Sequence, residues 1–173
     1  MQPLAKYLLL LFTIGLTGCS ALGTPVPTAT IQATPTQDQL QLAEDTLVTY
    51  FDLLHAGDYD VAIQLQGGPP EFIEELQIFN PNVNPMDFPG LFKSACENQF
   101  LCLKVKQVVS GEQISDDEFR FVVEFEDENG ETFFYGPCCG ADPTEEPPFS
   151  EFEYTVVRIS GRLRVLEGPI YVP

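Results

Sequence analysis

The residue types that most often carry catalysis are sparse in this chain or lack a recognisable spacing. His55 is the only histidine among 173 residues, so histidine can supply at most one metal ligand or one catalytic base. It lies at the end of a helix-forming segment, where a cation suits the helix dipole, so we interpret it as an exposed capping residue. Asp52, Asp60 and Asp87 are candidates for a general base beside an apolar pocket, but none belongs to a recognisable motif. No catalytic residue is therefore assigned.

The acidic segments do not form a metal-site pattern either. With Gly130 at the sixth position of a calcium loop, Phe125 would be first, where an EF-hand needs Asp. The acidic stretch 142–153 has no ligand spacing and is interrupted by prolines. We predict a solvated hairpin tip and an irregular surface loop, with neither a metal nor a cofactor.

Residues 1–18 have the order of a bacterial signal peptide. Lys6 provides the positive start, and the apolar run 7–16 is too short to span a bilayer comfortably. The run ends in Leu16-Thr17-Gly18-Cys19, which resembles the bacterial lipobox. The resemblance implies cleavage before Cys19 and a diacylglyceryl group on its thiol. It predicts a palmitate-type anchor in a cell membrane or outer membrane. Ser20, in place of the Asp that is the usual inner-membrane retention signal, favours the outer membrane if the organism has one.

The charge balance excludes other routes to a membrane or to nucleic acid. The chain has 8 Lys and Arg against 26 Asp and Glu, a formal net charge of -18. Such a surface repels phosphate backbones and anionic headgroups. We therefore expect no nucleic-acid partner, and we expect membrane attachment only through lipid on Cys19.

Four cysteines remain once Cys19 is acylated: Cys96, Cys102, Cys138 and Cys139. An even count outside the cytoplasm predicts disulfides, with three possible connectivities. The spacing lacks the paired knuckles of structural zinc sites, so zinc is the less favoured reading. A bridge from Cys96 to Cys102 would join the last helix to the first strand, leaving a vicinal bridge; crossed pairings are the alternative.

A linker separates the anchor from the folded part of the chain. The lipidated Cys19 and the linker make up residues 19–37, and residues 20–37 contain three prolines, five threonines and no charge, a composition that does not bury a core. Residues 38–173 then form the predicted domain.

The first part of this domain has helical periodicity. Leu40, Ala43, Leu47, Tyr50, Phe51 and Leu54 share one helix face. Asp38 and Gln41 are typical of a capping box, and Gly57 of a left-handed stop. Shorter helices are predicted at 58–65, 71–79 and 88–98.

Beyond Phe100 the period becomes two. Alternation predicts strands over 101–106 and 119–126, and Asn129-Gly130 predicts a type I′ hairpin into 132–135. Ser160-Gly161 joins strands over 152–159 and 162–166 in the same way. Helices followed by about five antiparallel strands predict an α+β domain whose curved sheet packs on the helices.

The hairpin registers predict which side chains face the helices. Pairing of Glu128 with Glu131 would put Phe125 and Phe134 on one face. Pairing of Ile159 with Arg162 would place residues 154, 156 and 158 on the same helix-facing side of the sheet as residues 163 and 165.

These registers suggest a concave binding face that carries Tyr50, Phe51, Phe121, Tyr154 and Arg158. A guanidinium among aromatic rings suits a small anion or carboxylate, whereas a position beside the turn would let Arg158 reach water. Both readings stay open, a core filled by side chains is favoured over a ligand pocket on this face, and the ligand is unknown.

The opposite sheet face is also rich in apolar residues. It is predicted to carry Val122, Phe133, Tyr135, Val157 and Ile159. A face of this kind is commonly covered, so a homodimer through the outer sheet face is a candidate assembly.

The segment Ala43–Leu65 resembles the opening of NTF2-like (cystatin-like) domains, which occur in many bacterial lipoproteins. The matching positions are Tyr50, Phe51, Leu54, Gly57, Asp58, Tyr59, Ala62 and Leu65. The resemblance implies helices on a curved, cone-shaped sheet. Because this superfamily contains isomerases, dehydratases, ligand-binding modules and interaction domains, it does not select an activity. We expect a non-catalytic binding or interaction module; the alternative is a small-molecule enzyme with a carboxylate base in the sheet-helix pocket.

Overall fold

Helix α1 (Gln37–Ala56) opens the part of the chain that the computed structural model describes, residues 37–136 and 147–171. Its predicted apolar face is buried against the sheet, and it ends at Gly57 with φ +80°, as predicted. Because the helix includes Gln37, Asp38 lies in its first turn, and the predicted capping position of Asp38 is wrong.

Three shorter helices follow close to their predicted positions. They are α2 (Tyr59–Leu65), α3 (Pro70–Phe79) and α4 (Phe88–Asn98). Asp87 caps α4, since its carboxylate accepts a hydrogen bond from the Gly90 N–H at 3.0 Å. Within residues 37–136 and 147–171, no helix combines the length and apolar character required to cross a membrane.

The strands form two sheets. They are β1 (Phe100–Leu101), β2 (Val105–Ser115), β3 (Glu118–Phe125), β4 (Phe152–Ile159), β5 (Arg162–Val165) and β6 (Ile170–Tyr171). The larger sheet is antiparallel in the order β2-β3-β4-β5, and β1 pairs with β6 separately. The α+β class with helices before the sheet is confirmed. The sheet has four strands rather than about five, and it is not curled.

The two hairpin predictions had different outcomes. The β4–β5 register is as predicted, with Ile159 opposite Arg162 and positive φ at both Ser160 and Gly161. At the other hairpin only Gly130 has positive φ, and Asp127 pairs with Glu131, so the predicted type I′ turn is wrong. The longer turn shifts the register by one residue.

This shift reverses the faces of two phenylalanines. The Phe133 N–H donates to the Phe125 carbonyl, and the Phe133 side chain is buried while Phe134 is exposed. The prediction that Phe134 shares the inner face is therefore wrong, as is the placement of Phe133 on the outer face. Residues 132–135 form isolated bridges rather than a strand.

The prediction of one strand over 101–106 is wrong, because Leu101 belongs to β1, residues 102–104 lie in no strand, and only 105–106 belong to β2. Most of β2 was not predicted. Its middle is exposed, it lies at the edge of the sheet, and its pairing with β3 is irregular at three places. An exposed edge strand with bulges loses the alternation of apolar and polar residues that identifies a strand.

Candidate functional site

The predicted concave-face aromatics meet in the interior. Tyr50 and Phe51 from α1 and Phe121 and Tyr154 from the sheet are almost completely buried. The ring centroids of Phe51 and Tyr154 are 4.8 Å apart in an edge-to-face arrangement. Phe121 is directly opposite Tyr154 in the sheet register. Rings therefore fill the space where the sequence suggested a pocket.

One polar group in this interior is the Tyr50 hydroxyl, which is completely buried next to the Gln66 side chain. Burial raises the pKa of Tyr50 and, with a smaller contribution from nearby Glu167, that of Tyr154. Both hydroxyls are therefore neutral at ordinary pH.

Arg158 lies apart from these rings. Its guanidinium donates to Oε1 of Gln39 at 2.6 Å and pairs with Asp117 at 3.3 Å. It is four residues from Tyr154 on β4, about 13 Å along an extended strand. The guanidinium is therefore bound by Gln39 near the start of α1 and by Asp117 in the β2–β3 turn.

The cysteine pairing is partly defined. Cys96 in α4 and Cys102 after β1 form a disulfide with their Cα atoms 5.5 Å apart, which is one of the predicted bridges. His55 Nδ1 lies 3.1 Å from the Cys102 carbonyl, so His55 also links α1 to this segment. Cys138, Cys139 and Cys19 lie outside the described residues.

The carboxylates considered for catalysis are not grouped. Asp60 is exposed, Asp87 caps α4, and Asp52 is partly buried with one carboxylate oxygen lacking a partner among the described residues. In the described ranges, no three His, Cys, Asp or Glu side chains are arranged to hold a metal ion.

The outer sheet face is partly polar. Arg120 lies 3.8 Å from Glu112 and 3.4 Å from Glu153, so an ion-pair network occupies part of the surface proposed for a homodimer. Val122 and Val157 are partly buried, and Ile159 is exposed.

A different feature offers an open apolar surface. An aromatic groove of about 480 Å³ lies between α3 and the β1–β6 sheet. Its aromatic lining consists of Phe72, Phe79, Phe100 and Tyr171, and Leu76, Ile78, Glu75, Gly168 and Pro169 complete it. Phe79 is 53% exposed and Tyr171 45%, unlike the interior rings. The groove has the lining and size of small-molecule sites.

The rings of the groove form adjoining walls. The Tyr171 centroid is 6.1 Å from that of Phe100 at 74° and 6.1 Å from that of Phe79 at 35°. Phe72 stacks on Phe100 at 6.3 Å, and it also contacts Phe92 of α4. A ligand in the groove can thus meet ring faces from α3, β1 and β6.

Backbone and covalent constraints shape these walls. Phe72 lies so close to Gly168 that a Cβ there would be 2.5 Å from the ring, so only glycine fits. Phe100 belongs to the short loop closed by the Cys96–Cys102 disulfide. The disulfide therefore holds the β1 wall against α4.

Two other openings are less suited to an apolar ligand. One, of about 400 Å³, lies beside the hairpin turn at Asp127, whose carboxylate accepts N–H groups from Asn129 and Glu131. The other, of about 340 Å³, is lined mainly by polar residues around Asn80. Neither combines rings from three elements.

The groove was not predicted from the sequence. Adjacent apolar residues Ile78 and Phe79 cannot both face inward on α3, and that excess was a usable signal. The wall formed by β1 and β6 gave no such signal in the sequence, because β6 has two residues and pairs with a strand about 70 positions earlier. Comparison of the chain with protein-family models, curated proteins and solved structures finds no match.

Proposed function

We propose that this protein is a lipid-anchored, extracytoplasmic, non-catalytic binding module that holds a small apolar molecule in the aromatic groove. The observation that carries the proposal is the groove itself, where four aromatic rings line about 480 Å³ and two of them are exposed. Large exposed rings grouped on one surface are a feature of binding sites.

The anchoring part of the proposal rests on the sequence. The apolar run and the Leu16-Thr17-Gly18-Cys19 tetrapeptide support lipidation of Cys19, and the uncharged linker would separate the domain from the membrane. The Cys96–Cys102 disulfide is in keeping with an oxidising compartment.

Within this proposal we retain a relationship to NTF2-like domains. The order of helices followed by antiparallel strands and the Gly57 stop after α1 support it. The filled interior favours a module that binds outside the sheet-helix space over an enzyme with a base inside it.

Binding of N-phenyl-1-naphthylamine, a neutral probe that fluoresces in apolar sites, tests the groove. We expect saturable binding to the wild-type domain with one site. Phe79→Ala should weaken it about tenfold, because removing an exposed ring abolishes one wall.

Phe134→Ala is the matched control, since Phe134 is 51% exposed but lies outside the groove. It should leave the affinity unchanged. Absence of saturable binding would overturn the assignment of the groove. So would a loss of probe affinity in Phe134→Ala with unchanged affinity in Phe79→Ala.

The anchor has a separate test. Metabolic labelling with palmitate should mark the wild-type protein in the membrane fraction, and Cys19→Ser should lose the label, because only the thiol accepts the diacylglyceryl group. Ser20→Ala is the control for an altered residue at the cleavage site. A Cys19→Ser protein that still incorporates palmitate would refute the proposed anchor.

A further inference from the structure

We infer that the aromatic groove selects a hydrophobic cation, such as an aryl or alkyl quaternary ammonium compound, over neutral and anionic molecules of the same shape. The inference rests on the proposed function and adds the charge of the ligand. It follows from the ring geometry, a carboxylate at the groove and the charge of the whole surface.

The first support is the arrangement of the rings. Tyr171 is nearly perpendicular to Phe100 and only tilted from Phe79, so neighbouring walls present differently directed ring faces. The face of an aromatic ring carries negative electrostatic potential and attracts cations. Quaternary ammonium groups suit such sites because their methyl groups pack on rings and their charge is weakly hydrated.

The second support is Glu75, the charged residue of the lining. Its side chain lies on α3 beside the exposed Ile78 and Phe79, and no Lys, Arg or His of the described part of the chain lines the groove. None of the four ion pairs among the described residues involves Glu75. An unpaired carboxylate beside aromatic walls stabilises a bound cation and repels an anion.

The third support is long-range charge. The net charge of -18 gives the surface a negative potential that concentrates cations near the groove. The one cation of the predicted concave face, Arg158, is already paired with Asp117 and is not available there to an anionic ligand. An anionic ligand therefore has neither a local nor a global attraction at the groove.

Three compounds of nearly the same shape isolate the effect of charge. Phenyltrimethylammonium, tert-butylbenzene and benzenesulfonate are each titrated as competitors against N-phenyl-1-naphthylamine bound to the purified domain at low ionic strength. We expect the cation to bind roughly fivefold more tightly than the neutral isostere, a ratio typical of a cation–π contact, and benzenesulfonate to displace nothing.

Glu75→Gln tests the carboxylate without changing its size. It should reduce the preference for the cation over tert-butylbenzene at least threefold while leaving the affinity for tert-butylbenzene unchanged. Glu74→Gln is the matched control, since it makes the same charge change on the same helix at an exposed position outside the groove lining.

The possible results separate the two proposals. If N-phenyl-1-naphthylamine fails to bind, the proposed function is wrong. If it binds but tert-butylbenzene or benzenesulfonate competes as well as the cation, the groove is a binding site and the charge preference is wrong. Equal effects of Glu74→Gln and Glu75→Gln would also overturn the local role of Glu75.

Discussion

Two groups of aromatic rings in this protein have comparable spacing but opposite exposure. In the interior, Phe51 lies 4.8 Å from Tyr154 and 5.0 Å from Phe125, and all three are buried. In the groove, Tyr171 lies 6.1 Å from Phe79 and Phe100, and both Tyr171 and Phe79 remain exposed. Aromatic content alone thus does not distinguish a core from a binding surface.

The two groups of rings differ in the elements that pack over them. Helix α1 has 20 residues and contacts β2, β3, β4 and β5, so it closes the inner face of the larger sheet. The β1–β6 sheet has two residues in each strand, and the groove between it and α3 leaves Phe79 and Tyr171 exposed. The interior rings therefore contribute their apolar surface to folding, whereas Phe79 and Tyr171 keep much of theirs in contact with solvent.

Truncation of one interior ring is the strongest test of this contrast. Phe51→Ala should lower the free energy of unfolding by about 3 to 5 kcal/mol, since it removes a completely buried ring and leaves a cavity. Phe79→Ala, made as the matched exposed change, should alter it by less than about 0.5 kcal/mol. Urea unfolding followed by circular dichroism measures both.

An equal loss of stability in the two variants would break the comparison, because it would mean that the groove rings belong to the core. A loss below about 1 kcal/mol in Phe51→Ala would show that the interior relaxes around the cavity.

Removal of the disulfide should have a smaller effect on stability and a selective effect on the groove. We expect the double variant Cys96→Ala and Cys102→Ala to unfold at a free energy about 2 kcal/mol lower, the value for closing a short loop. Its affinity for N-phenyl-1-naphthylamine should fall, because Phe100 is no longer held against α4. Urea unfolding and probe titration provide the two measurements.

Lys93→Ala, an exposed change on the same helix, is a control for altered α4. Unchanged probe affinity in the double variant would show that the β1–β6 pairing positions Phe100 without the disulfide.

Local patterns in the sequence predicted much of the fold. The periodicity of 40–54 and the glycine at 57 defined α1, and proline-bounded segments gave α3 and α4 to within a residue. The Ser160-Gly161 turn set the β4–β5 register. These features depend on neighbours within a few positions, so the sequence by itself determined them.

Long-range contacts decided the rest. The register at Asp127, the extent of β2 and the pairing of β1 with β6 each depend on partners that no local pattern identifies. Arg158 shows that a correct register does not fix the position of a charge. Its place opposite Leu163 was predicted, but its guanidinium is held by Asp117 and by Gln39, which is 119 residues away in the sequence. The groove arises where α3, β1 and β6 meet and no other element of residues 37–136 and 147–171 covers them, so its existence was decided only by tertiary packing.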